Sequence, residues 1–409
     1  MQKSIYKEPK IRFPEFNDKW KSTLLSELLV ESKTKNKDLN FTKDDVLSVS
    51  KEYGIINQIE HLGRSYAGAS VHNYGVVDVG DIVYTKSPLK ENPYGIIKVN
   101  KNKTGIVSTL YAIYKAKNES VIESFIDYYF SLDDNTNRYL RPLVRKGAKN
   151  DMKINNDFVL SDSIYIPSKK EQKRIVDFLE ELDNQITLLD KELKYLQDFK
   201  KGILQKIFSK KIRFKDKNGN QFPEWGEKKL GDLTFKVGKK NKENIQYPIY
   251  SINNKEGFRP QSEQFEGLDS NERGYDISMY KIIKEKTFAY NPARINVGSI
   301  GFSYELNNII ISSLYVCFKT NEELEDSYLL TYLDSYDFNK AVLRNAEGGV
   351  RQYLFYDNFS RIKIPLPSNE EQIKISNFIL NINKEIELCS KKIDETKEYK
   401  KALLQQMFI

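Results

Sequence analysis

Residues 168–208 read SKKEQKRIVDFLEELDNQITLLDKELKYLQDFKKGILQKIF, and 200 residues further on 368–408 read SNEEQIKISNFILNINKEIELCSKKIDETKEYKKALLQQMF. Glu171/Glu371, Gln172/Gln372, Ile175/Ile375, Phe178/Phe378, Ile186/Ile386, Lys200/Lys400, Leu204/Leu404, Gln205/Gln405 and Phe208/Phe408 coincide. A period this long exceeds the roughly 20–50 residues of a solenoid repeat, so two whole modules are duplicated. In the first copy Ile175, Leu179, Leu182, Ile186, Leu189, Leu193 and Leu196 recur in steps of four and three. Ile375, Ile379, Ile382, Ile386, Cys389, Ile393 and Thr396 take those slots in the second. Lys200 and Lys400 interrupt the stripe, and Ile203, Ile207, Leu403 and Met407 resume it. This heptad pattern predicts coiled-coil helices. Each opens on a Ser-x-x-Glu capping box just after a proline. At about 1.5 Å per residue each helix is roughly 60 Å long. Two equal helices that pair with each other, antiparallel, bury both stripes, whereas homodimerisation through one would leave the other exposed.

Outside the helices the repeat continues more faintly. Ile11-Arg-Phe-Pro-Glu-Phe16 is echoed by Ile212-Arg-Phe214 and Phe222-Pro-Glu-Trp225. Ser108-Thr-Leu-Tyr111 matches Ser312-Ser-Leu-Tyr315, and Ser124-Phe-Ile-Asp-Tyr128 matches Ser327-Tyr-Leu-Leu-Thr331. Short runs rich in Val, Ile, Tyr and Phe predict strands at 80–85, 105–114, 287–291 and 309–318, with helices near 119–132 and 322–336. The expected fold class is mixed α/β: two modules with twisted sheets, two long antiparallel helices and a pseudo-twofold internal repeat.

Composition narrows the chemistry. Charged residues make up 30% of the chain and hydrophobic ones 39%, the balance of a globular protein. No run of about 18 apolar residues predicts a membrane span, and the N-terminus lacks the apolar stretch of a secretory signal. A cytoplasmic location is the expectation. Two cysteines, Cys317 and Cys389, and two histidines, His61 and His72, form no disulfide or zinc pattern. There is no phosphate loop, no glycine-rich cofactor turn and no nuclease-like carboxylate cluster, and Asn92-Pro93-Tyr94 lacks the second proline of an adenine methyltransferase motif. The expectation is a non-enzyme with no cofactor and no metal. An excess of Lys+Arg, 65, over Asp+Glu, 57, favours a polyanion only weakly, but 26 Tyr and 22 Phe accompany it. A Lys/Asn-rich proteome accounts for that composition about as well.

The binding candidates lie in loops at matching positions. Arg141–Lys153, with Arg145, Lys146, Lys149 and Asn150, corresponds to 344–352, with Arg344, Arg351 and Gln352. Arg grips guanine bidentately, Asn or Gln grips adenine, and Lys serves phosphates. A second pair is Tyr84-Thr-Lys86-Ser-Pro88 against Tyr290-Asn291-Pro-Ala-Arg294-Ile-Asn296, beside Gly298 and Gly301. Ser50-Lys51 and Asn253-Asn254-Lys255 are weaker candidates. Tyr290 belongs to the candidate set, although it reads with Tyr84, Tyr111 and Tyr315 as a core or strand-face residue.

Taken together the chain resembles the specificity subunits of type I restriction-modification systems. The Ile-Pro…Glu-Gln entry into each long helix, the Lys-Lys…Leu-Gln…Phe exit, the Phe-Pro-Glu echo and the Asn-Pro-Ala-Arg-Ile-Asn-x-Gly-Ser-Ile-Gly run at 291–301 carry the resemblance. It implies target recognition domains at 1–167 and 210–367, and spacer helices at 168–209 and 368–409. Each domain would read one half of a bipartite double-stranded DNA target. Modification subunits, expected to be two, would dock on the helices and methylate adenine, and restriction subunits would join to cut. Gln172, Ile175, Phe178, Phe208, Gln372, Ile375, Phe378 and Phe408 are the expected spacer and partner-binding residues. Two other classes compete: a coiled-coil scaffold whose α/β modules bind proteins, and a self-contained modification-restriction enzyme, against which the missing motifs argue.

Overall fold

The computed structural model describes residues 6–68, 70–146, 152–254, 256–264, 267–349 and 352–409. The chain divides into two compact units, residues 1–190 with 391–409, and residues 191–390.

The first unit is built on an antiparallel sheet. Trp20–Leu24 (β1) is followed by Leu29–Glu31 (β2), Ile82–Thr85 (β3), Ile96–Val99 (β4) and Tyr111–Ala116 (β5). The sheet order is β2-β5-β3-β4, with Tyr111 opposite Thr85 and Ile82 opposite Val99. Helices Glu123–Ser131 (α1) and Asp133–Leu140 (α2) cover it, and Ser163–Ile166 (β6) returns beside β1. In the second unit Gly226–Lys229 (β7), Thr234–Lys236 (β8), Phe288–Tyr290 (β9), Ile300–Phe302 (β10) and Val316–Thr320 (β11) follow in the same sequence. They form the same sheet, β8-β11-β9-β10. Asp326–Leu333 (α3), Tyr336–Asn345 (α4) and Lys363–Leu366 (β12, beside β7) complete it. The repeat read from the helices therefore extends to sheet topology, where sequence identity has faded.

Both predicted strands at 105–114 and 309–318 are interrupted at the same place. Gly105–Val107 and Tyr111–Ala116 are separate strands in different sheets, as are Ile309–Ile311 and Val316–Thr320. The cause is local. The Ser108 hydroxyl accepts from Leu110 N at 3.4 Å and the Ser108 carbonyl from Tyr111 N at 3.1 Å; Ser312 does the same for Leu314 at 3.4 Å and Tyr315 at 3.2 Å. Serine turns of this kind compete with the strand ladder.

The long helices run over Lys169–Phe208 and Asn369–Met407. In the first unit Ile175, Leu179 and Leu182 share a core with Leu403, Leu404, Met407 and Phe408. Asp183 meets Lys400 and Asp190 meets Lys397, so one helix rises in number as the other falls. In the second unit Leu204, Ile207 and Phe208 share a core with Ile375, Ile379 and Ile382. The pairing is antiparallel, as the stripe predicts. Among the described residues no helix is long and apolar enough to cross a membrane.

Each helix is joined to its module by a clamp built around the Glu-Gln pair. Glu171, 1% exposed, accepts from Arg12 Nε at 2.7 Å, Arg12 Nη2 at 2.8 Å and the Trp20 indole at 3.2 Å. Glu371 accepts from Arg213 Nε and Nη2, both at 3.1 Å, and from the Trp225 indole at 2.7 Å. These hydrogen bonds push the Arg12 and Arg213 guanidinium pKa values up. Of the expected capping box only the serine half forms, with Glu171 N at 3.4 Å and Glu371 N at 3.5 Å from their serine hydroxyls. The glutamate side chain is spent on the Arg–Trp pair, which is the physical meaning of the Ile-Arg-Phe…Phe-Pro-Glu echo. Gln172 holds Ile122 N at 2.9 Å and the Ser120 carbonyl at 2.9 Å; Gln372 holds Glu325 N and the Glu323 carbonyl, also at 2.9 Å.

Candidate nucleic-acid interface

In both units the sheet ends where its second strand in chain order gives way to a polar loop. In the second unit β9 runs into Asn291, whose N donates to Ser299 O at 3.0 Å while its side-chain oxygen accepts from Ala293 N at 3.0 Å. Arg294 is held by its backbone alone: its N donates to Asn291 O at 3.0 Å and its O accepts from Ser299 N at 3.1 Å. Gly298 closes the loop at φ +86°, a left-handed conformation that disfavours a side chain. Arg294 and Asn296 are exposed, and neither makes a side-chain hydrogen bond or ion pair among the described residues. A fixed backbone under a free guanidinium is what planar, bidentate recognition requires.

The second polar segment is brought to the same place. Leu354 N donates to Pro292 O at 3.0 Å, and Glu347 and Tyr353 exchange backbone hydrogen bonds of 2.8 and 2.7 Å. Gln352 is exposed on this arm, while Arg351 lies outside the described residues. The first unit repeats the arrangement. Its loop after β3 is closed by hydrogen bonds from Leu89 N and Gly95 N to Asn92 O, each 3.0 Å. Arg145–Lys146 pairs with Met152–Lys153 as a hairpin, and Tyr84 Oη reaches both the Tyr94 carbonyl at 2.8 Å and Met152 Sδ at 3.8 Å. Arg145 is exposed and Lys86 half-buried, while Lys149 and Asn150 lie outside the described residues.

Against this arrangement the family comparison is specific. The family described as the type I restriction modification DNA specificity domain matches residues 17–197 and 223–398. The chain belongs to this specificity family. A type I restriction enzyme specificity subunit of Methanocaldococcus jannaschii, MjaVIII, is 24% identical over 322 residues, covering 74% of this chain and 73% of its own. A candidate MjaX specificity subunit from the same organism is 25% identical over 319 residues, covering 76% and 68%. The crystal structure of an S subunit from M. genitalium shares the fold, with a TM-score of 0.58, 13% identity and coverage of 98% and 99%. As a specificity subunit the chain recognises DNA sequence within a type I restriction-modification system, and the family is generally non-catalytic.

Several expected site residues of the specificity subunit take other places. Tyr290 is fully buried against Phe318 and Phe359, so its ring is core and not a contact surface. Burial also pushes its phenol pKa up. Arg344 stands on the last turn of α4 instead of in the loop, lining a groove of about 520 Å³ with Lys340, Arg361 and Lys363. Lys51, a weaker candidate, is tied to Glu91 at 2.5 Å and Asp133 at 2.8 Å. The expected partner-binding set faces inward. Gln172, Gln372, Ile175, Ile375, Phe208 and Phe408 are buried, and Phe178 and Phe378 pack edge-on against Phe13 and Phe214 at 5.7 and 5.6 Å. Gln172, Ile175 and Phe178, with their second-copy counterparts, hold each module to the start of one long helix. Phe408 packs on Trp20 and Phe125 of the first module and Phe208 on Tyr328 and Tyr332 of the second, holding each to the end of the other helix. The exposed large apolar residues of the long helices are others: Leu188 and Tyr399 in the first unit, Tyr195, Phe199, Ile373, Leu380 and Leu388 in the second. Their spacing off the heptad stripe was the available signal.

Proposed function

We propose that each module of this specificity subunit reads one half of a bipartite DNA target, the first through the loop carrying Lys86 and the hairpin of Arg145 and Lys146, the second through Arg294, Asn296 and Gln352. Target recognition domains at 1–167 and 210–367 and spacer helices at 168–209 and 368–409 are the functional division. The observation that carries this reading is the twofold recurrence of one sheet end where two polar loops converge, with framework kept and loop chemistry changed. Arg294 serves a guanine edge and Asn296 an adenine edge. Lys340, Arg344 and Arg361, exposed and without ion pairs among the described residues, serve phosphates.

Two modification subunits dock on the exposed helix faces and methylate adenine, restriction subunits complete the assembly, and the work is done in the cytoplasm, where the chromosome is. The length of the helices sets the unread gap between half-sites. Mapping methylated adenines across the genome of a host that lacks the system, after co-expression with a cognate modification subunit, tests the proposal. A bipartite motif with a constant gap, lost when this chain is omitted, is the expected result. A stable complex that leaves no chain-dependent methylation would instead support a scaffold.

A further inference from the structure

Two leucines stand exposed at repeat-related turns beside the polar loops. Leu110 is 61% exposed and Leu314 78%. Each is the third residue of a Ser-Thr/Ser-Leu-Tyr turn, with the same hydroxyl and carbonyl hydrogen bonds. In the first unit the Tyr111–Thr85 register places Leu110 opposite Lys86, and Lys86 N donates to Leu110 O at 3.4 Å. In the second the Val316–Tyr290 register places Leu314 opposite Pro292, two residues before Arg294. The turn itself needs only the serine and the backbone; nothing in its hydrogen bonding calls for a large apolar side chain at its tip. The polar loops differ between the units, as readers of different bases should, yet the leucine is the same in both.

We propose that Leu110 and Leu314 are base-edge contacts, each closing on the 5-methyl group of a thymine in the major groove of its half-site. The inference rests on the DNA-reading function proposed for the two modules. Base edges in the major groove present hydrogen-bond donors and acceptors apart from one apolar group, the thymine methyl. A leucine has no use for the first kind and matches the second. A contact common to two otherwise diverged modules reads a feature common to both half-sites, so each half-site carries a thymine at this register.

The test uses the full chain assembled with its modification subunits and cognate duplexes in which each thymine is replaced, one at a time, by deoxyuridine, which lacks only the methyl group. One position in each half-site should weaken binding about fourfold, the worth of one buried methyl. Leu314→Ala should abolish that sensitivity in one half-site and Leu110→Ala in the other, while Leu314→Met and Leu110→Met retain it. If no thymine is sensitive in the wild-type complex, or if the sensitivity survives in the alanine variants, the inference is overturned. Alanine variants that bind thymine and deoxyuridine duplexes equally weakly, with 2-aminopurine fluorescence reporting restored stacking, would show a wedge between base steps and also overturn it. A wild-type complex that fails to separate cognate from scrambled duplex defeats the DNA-reading function instead.

Discussion

The two units solve one joint with different covalent means. In the second unit, residues 211–214 continue directly from the first long helix, and Lys211 N and Ile212 N both donate to Lys206 O, at 2.9 and 3.2 Å. In the first unit no peptide bond joins the corresponding segment to the second long helix. Yet Lys10 N and Ile11 N both donate to Gln406 O, at 2.9 and 3.1 Å. The same backbone geometry forms with and without the chain connection. What specifies it is the side-chain clamp present in both copies: an Arg, a Trp and the helix glutamate. A second difference lies at the lysine that breaks each stripe. Lys400 pairs with Asp183, which also takes the Tyr128 hydroxyl at 2.7 Å, whereas Lys200 reaches Asp334 at the end of α3. Joint chemistry is kept, and the pairings around it are free to drift.

The comparison breaks most readily at the clamp. Glu171→Ala or Glu371→Ala removes the carboxylate that pairs an arginine and a buried indole, a loss of about 3–5 kcal/mol for a broken buried pair, to be read by denaturant unfolding. The outcomes should differ locally: Glu171→Ala releases the untethered segment, so the Lys10 and Ile11 amides exchange rapidly. In Glu371→Ala the Lys211 and Ile212 amides stay protected by the covalent link. Equal exchange at both joints would refute the argument from tethering. Arg294→Ala should cost about 1–3 kcal/mol at one half-site and leave the other unchanged, measured by binding to duplexes altered in one half at a time. Weakening at both halves would contradict one module, one half-site. Replacing Lys340, Arg344 and Arg361 by Gln should weaken cognate and scrambled DNA alike and flatten the salt dependence of binding by about one unit of slope for each phosphate no longer neutralised; a changed motif would place these residues on bases. The smallest effect is expected at Lys400→Met and Lys200→Met, below about 1 kcal/mol each, since such partly exposed pairs are weak. A larger effect at Lys400 would mean that the Asp183–Tyr128 link depends on it.

Legibility in the sequence follows how far each signal depends on neighbours in the chain. The heptad stripes of 175–196 and 375–396 are periodic over many turns, and the structure places them as read. The candidate loops are legible because glycine, arginine and asparagine cluster locally, and the structure brings Leu354, just beyond the second loop, to Pro292 of the first. The Glu-Gln pairs were visible as repeated letters, but their partners lie far away: Arg12 and Trp20 are 159 and 151 residues from Glu171. A buried glutamate paired across that separation looks the same in sequence as a capping or solvent-facing one. Arg344 likewise reads as the opening of a loop until α4 is seen to extend through it.

The sequence by itself determined the duplication, the two long helices and the alternation of framework with variable loops, because helical periodicity and turn chemistry act over a few residues. Only the tertiary structure decided which repeated residues face inward. Burial of Gln172, Phe208 and Tyr290, the Arg–Glu–Trp clamps, and the placing of Leu110 and Leu314 beside the polar loops all come from segments distant in sequence meeting in space. Such contacts form only when strand register and helix packing have fixed where each segment lies.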